Sequence, residues 1–385
     1  MVTKDSDPMV TDCTKYFSYP DGYSNPVTTA DTRLRHDPDG LNSSARRFDL
    51  AGSHETPIEH FFTRSHAPVP TIDAASWRLD VSGLVANPLS LSLDELRQFP
   101  RREVASTLLC AGLRRDELLQ LGPLPGELPW GPEAASHARW AGVSLRDVLR
   151  SAGVSRSAAH VEFIGLDDVE RKGERSGFGG SITSLKAQDP DVLLAFEMNG
   201  EELPARHGFP VRTIVPGWIG ARSVKWLGRI TAAAEPSSNY FQTNAYRILR
   251  TPDATRPGDV AAGEAISGIT LNSVILDPSP NHRVPAATPI EMRGWAIGTD
   301  GSPISLIEYS LDDGTSWQPA QTATGHDRWS WTRWSAMIAL TPGHHTLAVR
   351  TFDASGHAQP MHLRDAWNVK GYLNNAWHRV RVVAE

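Results

Sequence analysis

Short apolar runs separated by polar and glycine-rich turns fill the first part of the chain. Residues 77–81 alternate apolar and polar positions and residues 161–165 are mainly apolar, and both predict strands. Ser92 followed by Glu95 is the pattern of a capping box, so we expect a helix to begin there. Leu145, Val148 and Leu149 are spaced to form the inner face of a second short helix. This part of the chain therefore mixes strands with short helices.

The pattern changes near Ile269. Short strand-like runs such as residues 304–310 and 345–350 recur between turns, without helical spacing, which predicts a β-sandwich. The stretch from Arg250 to Glu264 is rich in Pro, Asp, Gly and Ala and is typical of a domain boundary. We therefore predict three regions: an N-terminal arm over residues 1–47, a domain of strands and short helices over residues 48–250 and a sandwich over residues 251–385.

Three further segments lead to specific expectations. The polar arm, rich in Asp, Ser, Pro and Thr, is expected to lie extended on the surface. Residues 169–180 are charged and glycine-rich and predict a mobile surface loop. Trp329, Trp331 and Trp334 are expected in a core or an interface.

Composition and charge narrow the class of protein. The chain has 385 residues, of which 40% are hydrophobic and 21% charged, as in a two-domain globular protein. Its net charge of -6 argues against a nucleic-acid partner. No stretch reaches the roughly 18 apolar residues of a membrane span, and no signal peptide is visible, so we expect a cytoplasmic protein without a membrane partner. Cys13 and Cys110 are too few for a disulfide framework, and Cys13 is expected to be a free surface thiol.

Cys110 is the strongest candidate for chemistry. It follows the apolar run at residues 106–109, and Ala111 and Gly112 let the backbone turn immediately after it, so its thiol would lie at the mouth of a core. Two arginines follow, and nearby guanidinium groups lower a thiol pKa and hold oxyanions. A thiolate is a ligand for a soft metal centre. The alternative is a small buried hydrophobic side chain.

A second candidate is a glycine-lined turn. Gly217 and Gly220 would let the backbone approach a ligand closely, and Arg222, Ser223 and Lys225 follow them. Such a turn is a possible phosphate cradle. The alternative is a solvated basic face.

The cysteine segment, TLLCAGLRR at residues 107–115, resembles the CAGNRR loop of the sulfite oxidase family. Other segments resemble that family in the same order, and together they extend from about residue 57 to residue 383: FFTRSHAPVP at 61–70, HGFPVR at 207–212, PGWIGARSVKWL at 216–227, WNVKG at 367–371 and NAWHRV at 375–380. Several long, ordered motifs are a specific signal. The resemblance implies an α+β sulfite-oxidase-type molybdopterin domain followed by an all-β, immunoglobulin-like sandwich that forms a homodimer.

The resemblance also implies roles for particular residues. Cys110 would bind molybdenum through its thiolate, Arg64, Arg115 and Lys370 would bind the substrate oxyanion, and Tyr246 would hydrogen-bond near the reacting oxygen. The molybdenum-molybdopterin cofactor would be held by eleven residues: Phe62, Thr63, Arg64, Ser65, His66, Asp167, His207, Arg212, Ser223, Val224 and Lys225. The implied activity is oxidation of sulfite to sulfate.

Three departures from the family motifs concern the substrate. Leu113 and Ser65 replace asparagines, and Lys370 replaces an arginine, so substrate identity follows less directly than the cofactor. No haem motif precedes the first segment and no flavin domain follows the last, so electrons are expected to pass to oxygen or an external carrier. The alternatives are another oxyanion or sulfoxide as substrate, including nitrate reduction, or a metal-free binding protein.

Overall fold

The computed structural model describes residues 33–249, 257–323 and 327–385. Cys13, most of the predicted arm and part of the predicted domain boundary lie outside these residues. Among the helices within these ranges, none has both the length and the apolar character that crossing a membrane requires.

The described end of the predicted arm is a β-hairpin and not an extended surface segment. Strand β1 (Arg33–Arg35) pairs antiparallel with β2 (Ser43–Ala45), and helix α1 (Arg47–Ala51) follows. All three residues of β2 are buried. Ser43 and Thr63 exchange two backbone hydrogen bonds of 3.1 and 2.7 Å, which anchor the hairpin to the segment that carries Arg64.

Two sheets and several short helices form the first domain. Its elements are β3 (Leu79–Gly83), β4 (Leu89–Leu91), α2 (Leu93–Arg97), β5 (Arg101–Leu109), α3 (Arg115–Leu118), β6 (Ala135–Ser144), α4 (Leu145–Ser151), β7 (His160–Gly165), β8 (Val169–Arg171), β9 (Glu174–Ser176), β10 (Gly179–Thr183), α5 (Ser184–Ala187), β11 (Leu193–Met198), β12 (Glu201–Glu202), β13 (Arg212–Ile214), β14 (Leu227–Ala233), α6 (Tyr240–Thr243) and β15 (Arg247–Ile248). One sheet has the strand order β10-β7-β14-β3-β4, with β3 and β14 parallel. The other has the order β12-β11-β6-β5, with β13 paired to β11.

Local sequence patterns account for the helices of this domain. The predicted capping box is confirmed, because the Glu95 backbone N–H donates to Ser92 Oγ at 3.2 Å and the Ser92 N–H donates to the Glu95 carboxylate at 2.8 Å. The apolar face of α4 is also confirmed, since Leu145, Val148 and Leu149 are fully buried. They share a hydrophobic core with β3, β7 and β14.

The prediction of a mobile loop at residues 169–180 was wrong. Strands β8 and β9 pair antiparallel across a turn at Lys172 and Gly173, and β10 begins at Gly179. Charged residues dominate this sequence because the β8–β9 hairpin is largely exposed. Its Arg171 nevertheless reaches the candidate site described below.

The second domain is the predicted sandwich. Its elements are β16 (Glu264–Ala265), β17 (Asn272–Asp277), β18 (Arg283–Val284), β19 (Ile290–Ile297), β20 (Ile304–Ser310), β21 (Gln318–Pro319), β22 (Gln321–Thr322), β23 (Thr332–Ile338), β24 (Gly343–Asp353), α7 (Leu363–Ala366) and β25 (His378–Ala384). One sheet has the order β17-β19-β23-β22 and the other β18-β25-β24-β20-β21. Their inner faces share one core that includes Ile275, Met292, Leu347 and Val380.

The predicted tryptophan positions are confirmed, and two of them contact the strand that leads to the cysteine. The Thr107 N–H donates to the Trp329 carbonyl at 3.0 Å, and the Trp331 N–H donates to Thr107 Oγ1 at 2.9 Å. Gly217, which we expected to approach a ligand, approaches Trp329 instead. Its φ is +76°, and a Cβ at this position would lie 2.6 Å from the Trp329 ring.

Candidate active site

A cavity in the first domain collects most of the predicted site residues. It contains about 710 Å³ of empty space, part of it open to solvent. The predicted residues that line it are Cys110, Tyr246, Phe62, Thr63, Arg64, Ser65, His66, Asp167, His207, Arg212, Ser223 and Lys225. Sequence segments that are far apart in the chain therefore meet in one place.

Cys110 lies just beyond the end of β5, as the sequence predicts. Its backbone N–H donates to the Ala134 carbonyl at 2.9 Å, and the Gly112 N–H donates to Cys110 Sγ at 3.4 Å. Burial raises the pKa of the thiol, whereas the positive charges of Arg115 and Arg64 lower it. The surroundings thus favour a neutral thiol until a cation binds beside the sulfur.

Arg64 is positioned by a residue that sequence reasoning missed. Asn42 Oδ1 accepts from Arg64 Nη1 and from the Ser65 backbone N–H, both at 3.0 Å. Asn42 is 5% exposed and follows β1 in the hairpin. Nothing in the polar arm distinguishes this asparagine, because its role depends on a contact 22 residues away in sequence.

The hydrogen bonds of His66 fix the orientation of the Tyr246 hydroxyl. Arg64 Nη2 and Arg171 Nη2 lie 3.4 and 3.3 Å from His66 Nδ1, and a guanidinium group can only donate. Burial, reinforced by these arginines, holds the pKa of His66 well below its usual value, so the ring is neutral. Its proton therefore lies on Nε2 and is donated to Tyr246 Oη at 2.9 Å.

This arrangement leaves the hydroxyl proton of Tyr246 available to an acceptor other than His66. Burial raises the pKa of Tyr246 to about 12, so the hydroxyl stays protonated at neutral pH. The ring of His66 stacks on Phe178 with a centroid distance of 5.2 Å and an interplanar angle of 9°. Tyr246 is thus a fixed hydrogen-bond donor at the cavity wall.

Positive charge dominates the cavity wall. Four cationic side chains, Arg64, Arg206, Arg212 and Lys225, line the cavity with one carboxylate, Asp167. In the described part of the chain none of the four cations forms an ion pair. Such a cluster is suited to bind an anionic group.

Burial makes two of these cations unusual. Burial lowers the pKa of Arg212 to about 9, and its guanidinium donates to backbone carbonyls, at 2.9 Å to His207 and 3.0 Å to Ser223. Burial also lowers the pKa of Lys225, helped by the charge of Arg212. Lys225 Nζ donates to Ser65 Oγ at 2.7 Å, so the serine that replaces the motif asparagine keeps a polar contact.

His207 and Asp167 also line the cavity. Burial holds the pKa of His207 well below its usual value, and its Nε2 lies 3.2 Å from the Ile58 carbonyl. Burial raises the pKa of Asp167, whose Oδ1 accepts from the Phe178 N–H at 2.9 Å. Within the described residues, the cavity therefore offers one sulfur, four cations without a carboxylate partner and one carboxylate, and these groups fit a metal bound to a phosphate-bearing pterin.

Three predicted site residues lie outside the cavity lining. Val224 is 1% exposed and packs in the core between the two sheets. Arg115, the last residue of the cysteine segment, and Lys370 both form ion pairs with Glu127. Leu113, which replaces the motif asparagine, is also buried in a hydrophobic core.

Arg222 has a structural role in place of the predicted cradle contact. It is 1% exposed and donates to the carbonyls of Phe241, at 3.1 Å, and Ile266, at 3.2 Å. Sequence reasoning also missed Arg206 and Phe178 in the cavity lining. Both lie near residues of the motifs, but the presence of an arginine or a phenylalanine in a sequence does not by itself indicate a functional site.

Similarity to known proteins shows the family of this chain. The human mitochondrial sulfite oxidase is 38% identical over 371 residues, which cover 92% of this chain and 67% of that protein. The Arabidopsis thaliana sulfite oxidase is 33% identical over 364 residues, which cover 88% of this chain and 91% of that protein. The chain belongs to the sulfite oxidase family.

The domain matches agree with membership of the sulfite oxidase family. Residues 66–241 match an oxidoreductase molybdopterin binding domain, and residues 263–385 match a Mo-co oxidoreductase dimerisation domain. The solved structure of the sulfane dehydrogenase SoxCD from Paracoccus pantotrophus superposes with a TM-score of 0.75 at 25% identity, covering 98% of this chain and 96% of that one. This protein is therefore a molybdoenzyme of the sulfite oxidase type, and its cofactor is molybdenum-molybdopterin.

Members and relatives of this family differ in substrate. The NAD(P)H nitrate reductase of Hordeum vulgare is 36% identical over 353 residues, which cover 85% of this chain and 39% of that protein. Sulfite, sulfane and nitrate thus all occur in the names of similar proteins. Substrate assignment therefore depends on the particular residues around the cavity.

Proposed function

We propose that the protein oxidises sulfite to sulfate. The observation that carries this proposal is the Cys110 sulfur at a cavity whose wall holds Arg64 and the oriented hydroxyl of Tyr246. The reaction converts sulfite and water into sulfate, two protons and two electrons. When bound, the molybdenum cofactor supplies the oxygen-atom transfer and accepts the electrons.

The residues of the chain would bind and orient the cofactor and substrate. Cys110 would be the protein ligand to molybdenum, as a thiolate. Lys225, Arg212 and Arg206 would bind the phosphate of the pterin, because these cations have no carboxylate partner in the described part of the chain. Asp167 would accept a hydrogen bond from the pterin ring.

Substrate binding would use the other side of the cavity. Arg64 offers a planar set of donors suited to an oxyanion, and its position is fixed by Asn42. Tyr246 would donate its free hydroxyl proton to an oxygen at the reaction centre. Arg115, whose charge lowers the pKa of the Cys110 thiol, and its neighbour Lys370 would add positive charge.

Assembly and electron transfer complete the proposal. The sandwich domain would join two copies of the chain in a homodimer, in keeping with the dimerisation domain that it matches. The two electrons would pass to oxygen or to an external carrier.

The first test is molybdenum content together with sulfite-dependent reduction of ferricyanide, for the wild type and for Cys110→Ser. We expect metal and turnover in the wild type and loss of turnover in the variant. Metal without sulfite turnover would refute the substrate, and nitrate reduction and sulfane oxidation would then be assayed on the same preparation. A wild type without molybdenum, expressed in a host that makes the cofactor, would favour a metal-free binding protein.

A further inference from the structure

Glu127 connects the two cations that were predicted to bind substrate. It lies between α3 and β6, and one carboxylate oxygen is 3.2 Å from Arg115 Nη2. The other oxygen forms an ion pair with Lys370 Nζ. The side chains of Arg115, Glu127 and Lys370 are 4%, 14% and 17% exposed, so all three are largely removed from water.

Arg115 has backbone partners in addition to its ion pair with Glu127. Arg115 Nε donates to the Lys370 carbonyl and Nη1 donates to the Leu128 carbonyl, both at 2.9 Å. Together with the Glu127 contact, every nitrogen of this guanidinium group has a partner in the chain. These contacts involve three of the five N–H groups of the guanidinium, so an oxyanion would share Arg115 with them.

Arg115 brings this cluster close to Cys110. A Cβ at Gly112 would be 2.5 Å from the guanidinium of Arg115, and the Gly112 N–H donates to Cys110 Sγ. The charge of Arg115 lowers the pKa of the Cys110 thiol and that of Glu127 raises it, although burial has the larger effect. The ring of Tyr372, 5.2 Å from the Arg115 guanidinium, stacks on Tyr246.

Glu127 lowers the net positive charge of the cluster. Arg115 and Lys370 alone would give two positive charges for an oxyanion, and the carboxylate reduces the sum to one. A carboxylate and a sulfur oxyanion also make the same kind of contact with guanidinium and ammonium groups. Within a partly dehydrated site, such competition is poorly screened by salt.

We propose that Glu127 is an internal carboxylate that competes with the substrate oxyanion for Arg115 and Lys370 and thereby sets the affinity for substrate. The inference rests on the proposed function for its substrate but adds a residue that weakens sulfite binding. Removal of its charge would free both cations. If Glu127 served only to hold Arg115 in place, its removal would instead weaken substrate binding.

The test compares Glu127→Gln with the matched control Glu308→Gln. Glu308 forms a comparable ion pair with Arg350, at 2.8 Å and similar exposure, but lies in the sandwich away from the cavity. We expect Glu127→Gln to lower the KM for sulfite by about tenfold or more with little change in kcat, because releasing charge pairs alters binding in the ground state and transition state alike. Glu308→Gln should leave both constants unchanged.

A second readout does not depend on turnover. Sulfate binding to the molybdenum-loaded proteins would be measured by titration calorimetry, and Glu127→Gln should bind sulfate more tightly by a similar factor. Glu127→Asp, whose shorter side chain cannot reach both cations, should give an intermediate KM and replaces Glu127→Gln if that variant does not fold. An unchanged or raised KM, with unchanged sulfate affinity, would overturn the inference. If the wild type does not oxidise sulfite, the proposed function fails and sulfate affinity alone decides the role of Glu127.

Discussion

The hydrogen bond between His66 and Tyr246 gives the sharpest prediction for catalysis. His66→Phe would keep a flat ring against Phe178 but remove the Nε2 donor that lies 2.9 Å from Tyr246 Oη. Tyr246 is 5% exposed, so its oxygen would lose a buried partner that water cannot easily replace. Loss of such a partner costs about 1–3 kcal/mol. If the loss falls on the transition state, kcat should decrease by about 5- to 150-fold.

The assay is a double-mutant cycle with Tyr246→Phe, using sulfite-dependent ferricyanide reduction. Rates are divided by molybdenum content, which separates catalysis from cofactor loading because His66 also lines the cofactor cavity. If His66 acts by orienting Tyr246, the two substitutions together should cost little more than Tyr246→Phe alone. His66→Gln, which retains an N–H donor, should recover part of the rate. Additive effects, or an unchanged kcat in His66→Phe, would refute the orientation argument.

Three further predictions concern stability and cofactor binding. Gly217→Ala should lower the free energy of unfolding by about 2–5 kcal/mol, because a positive φ and contact with Trp329 both oppose a Cβ. Gly126 has the same φ of +76°, but a Cβ there would meet no atom within 4 Å. Gly126→Ala should therefore lower the free energy of unfolding only by the cost of the positive φ. Lys225→Met should reduce the molybdenum and pterin content of the purified protein, because it removes from the cavity a cation that has no carboxylate partner among the described residues. Burial lowers the pKa of His137 to about 3, so between pH 6.5 and 3 the unfolded chain binds a proton that the folded chain does not. This proton should lower the free energy of unfolding by about 2.5 kcal/mol from pH 7 to pH 4.5, and His137→Gln should lose correspondingly less stability over the same range.

Each of these predictions has a clear contrary result. Equal unfolding midpoints for Gly217→Ala and Gly126→Ala would show that Trp329 can move aside. Full cofactor content in Lys225→Met would exclude this lysine as an anchor of the cofactor. A wild type and His137→Gln that lose the same stability on acidification would show that other groups control the response.

Sequence patterns predicted the elements whose signals are local. The capping box at Ser92, the inner face of α4 and the strand before Cys110 all follow from residues within a few positions of one another. The β8–β9 hairpin was missed because its charged, glycine-rich sequence carries no alternation of apolar residues. Its pairing depends on backbone hydrogen bonds that composition does not report.

Contacts between distant segments could not be predicted in the same way. Asn42 and Glu127 both hold arginines named by the motifs, yet neither belongs to a motif. Gly217 was correctly recognised as a position for close approach, but the approaching group is Trp329 of the sandwich and not a ligand. Such roles are determined by how the chain packs.

The pairing of Thr107 with Trp329 and Trp331 has a consequence for dissecting this protein. Strand β5 is at the end of its sheet, and the sandwich covers its outer edge through the parallel bridge from Ser106 to Trp329. A shortened version that ends before the sandwich would expose this edge, and exposed strand edges promote aggregation. We therefore expect the molybdopterin-binding half, produced alone, to be recovered mainly as insoluble material. Linking or co-producing the missing half should restore solubility.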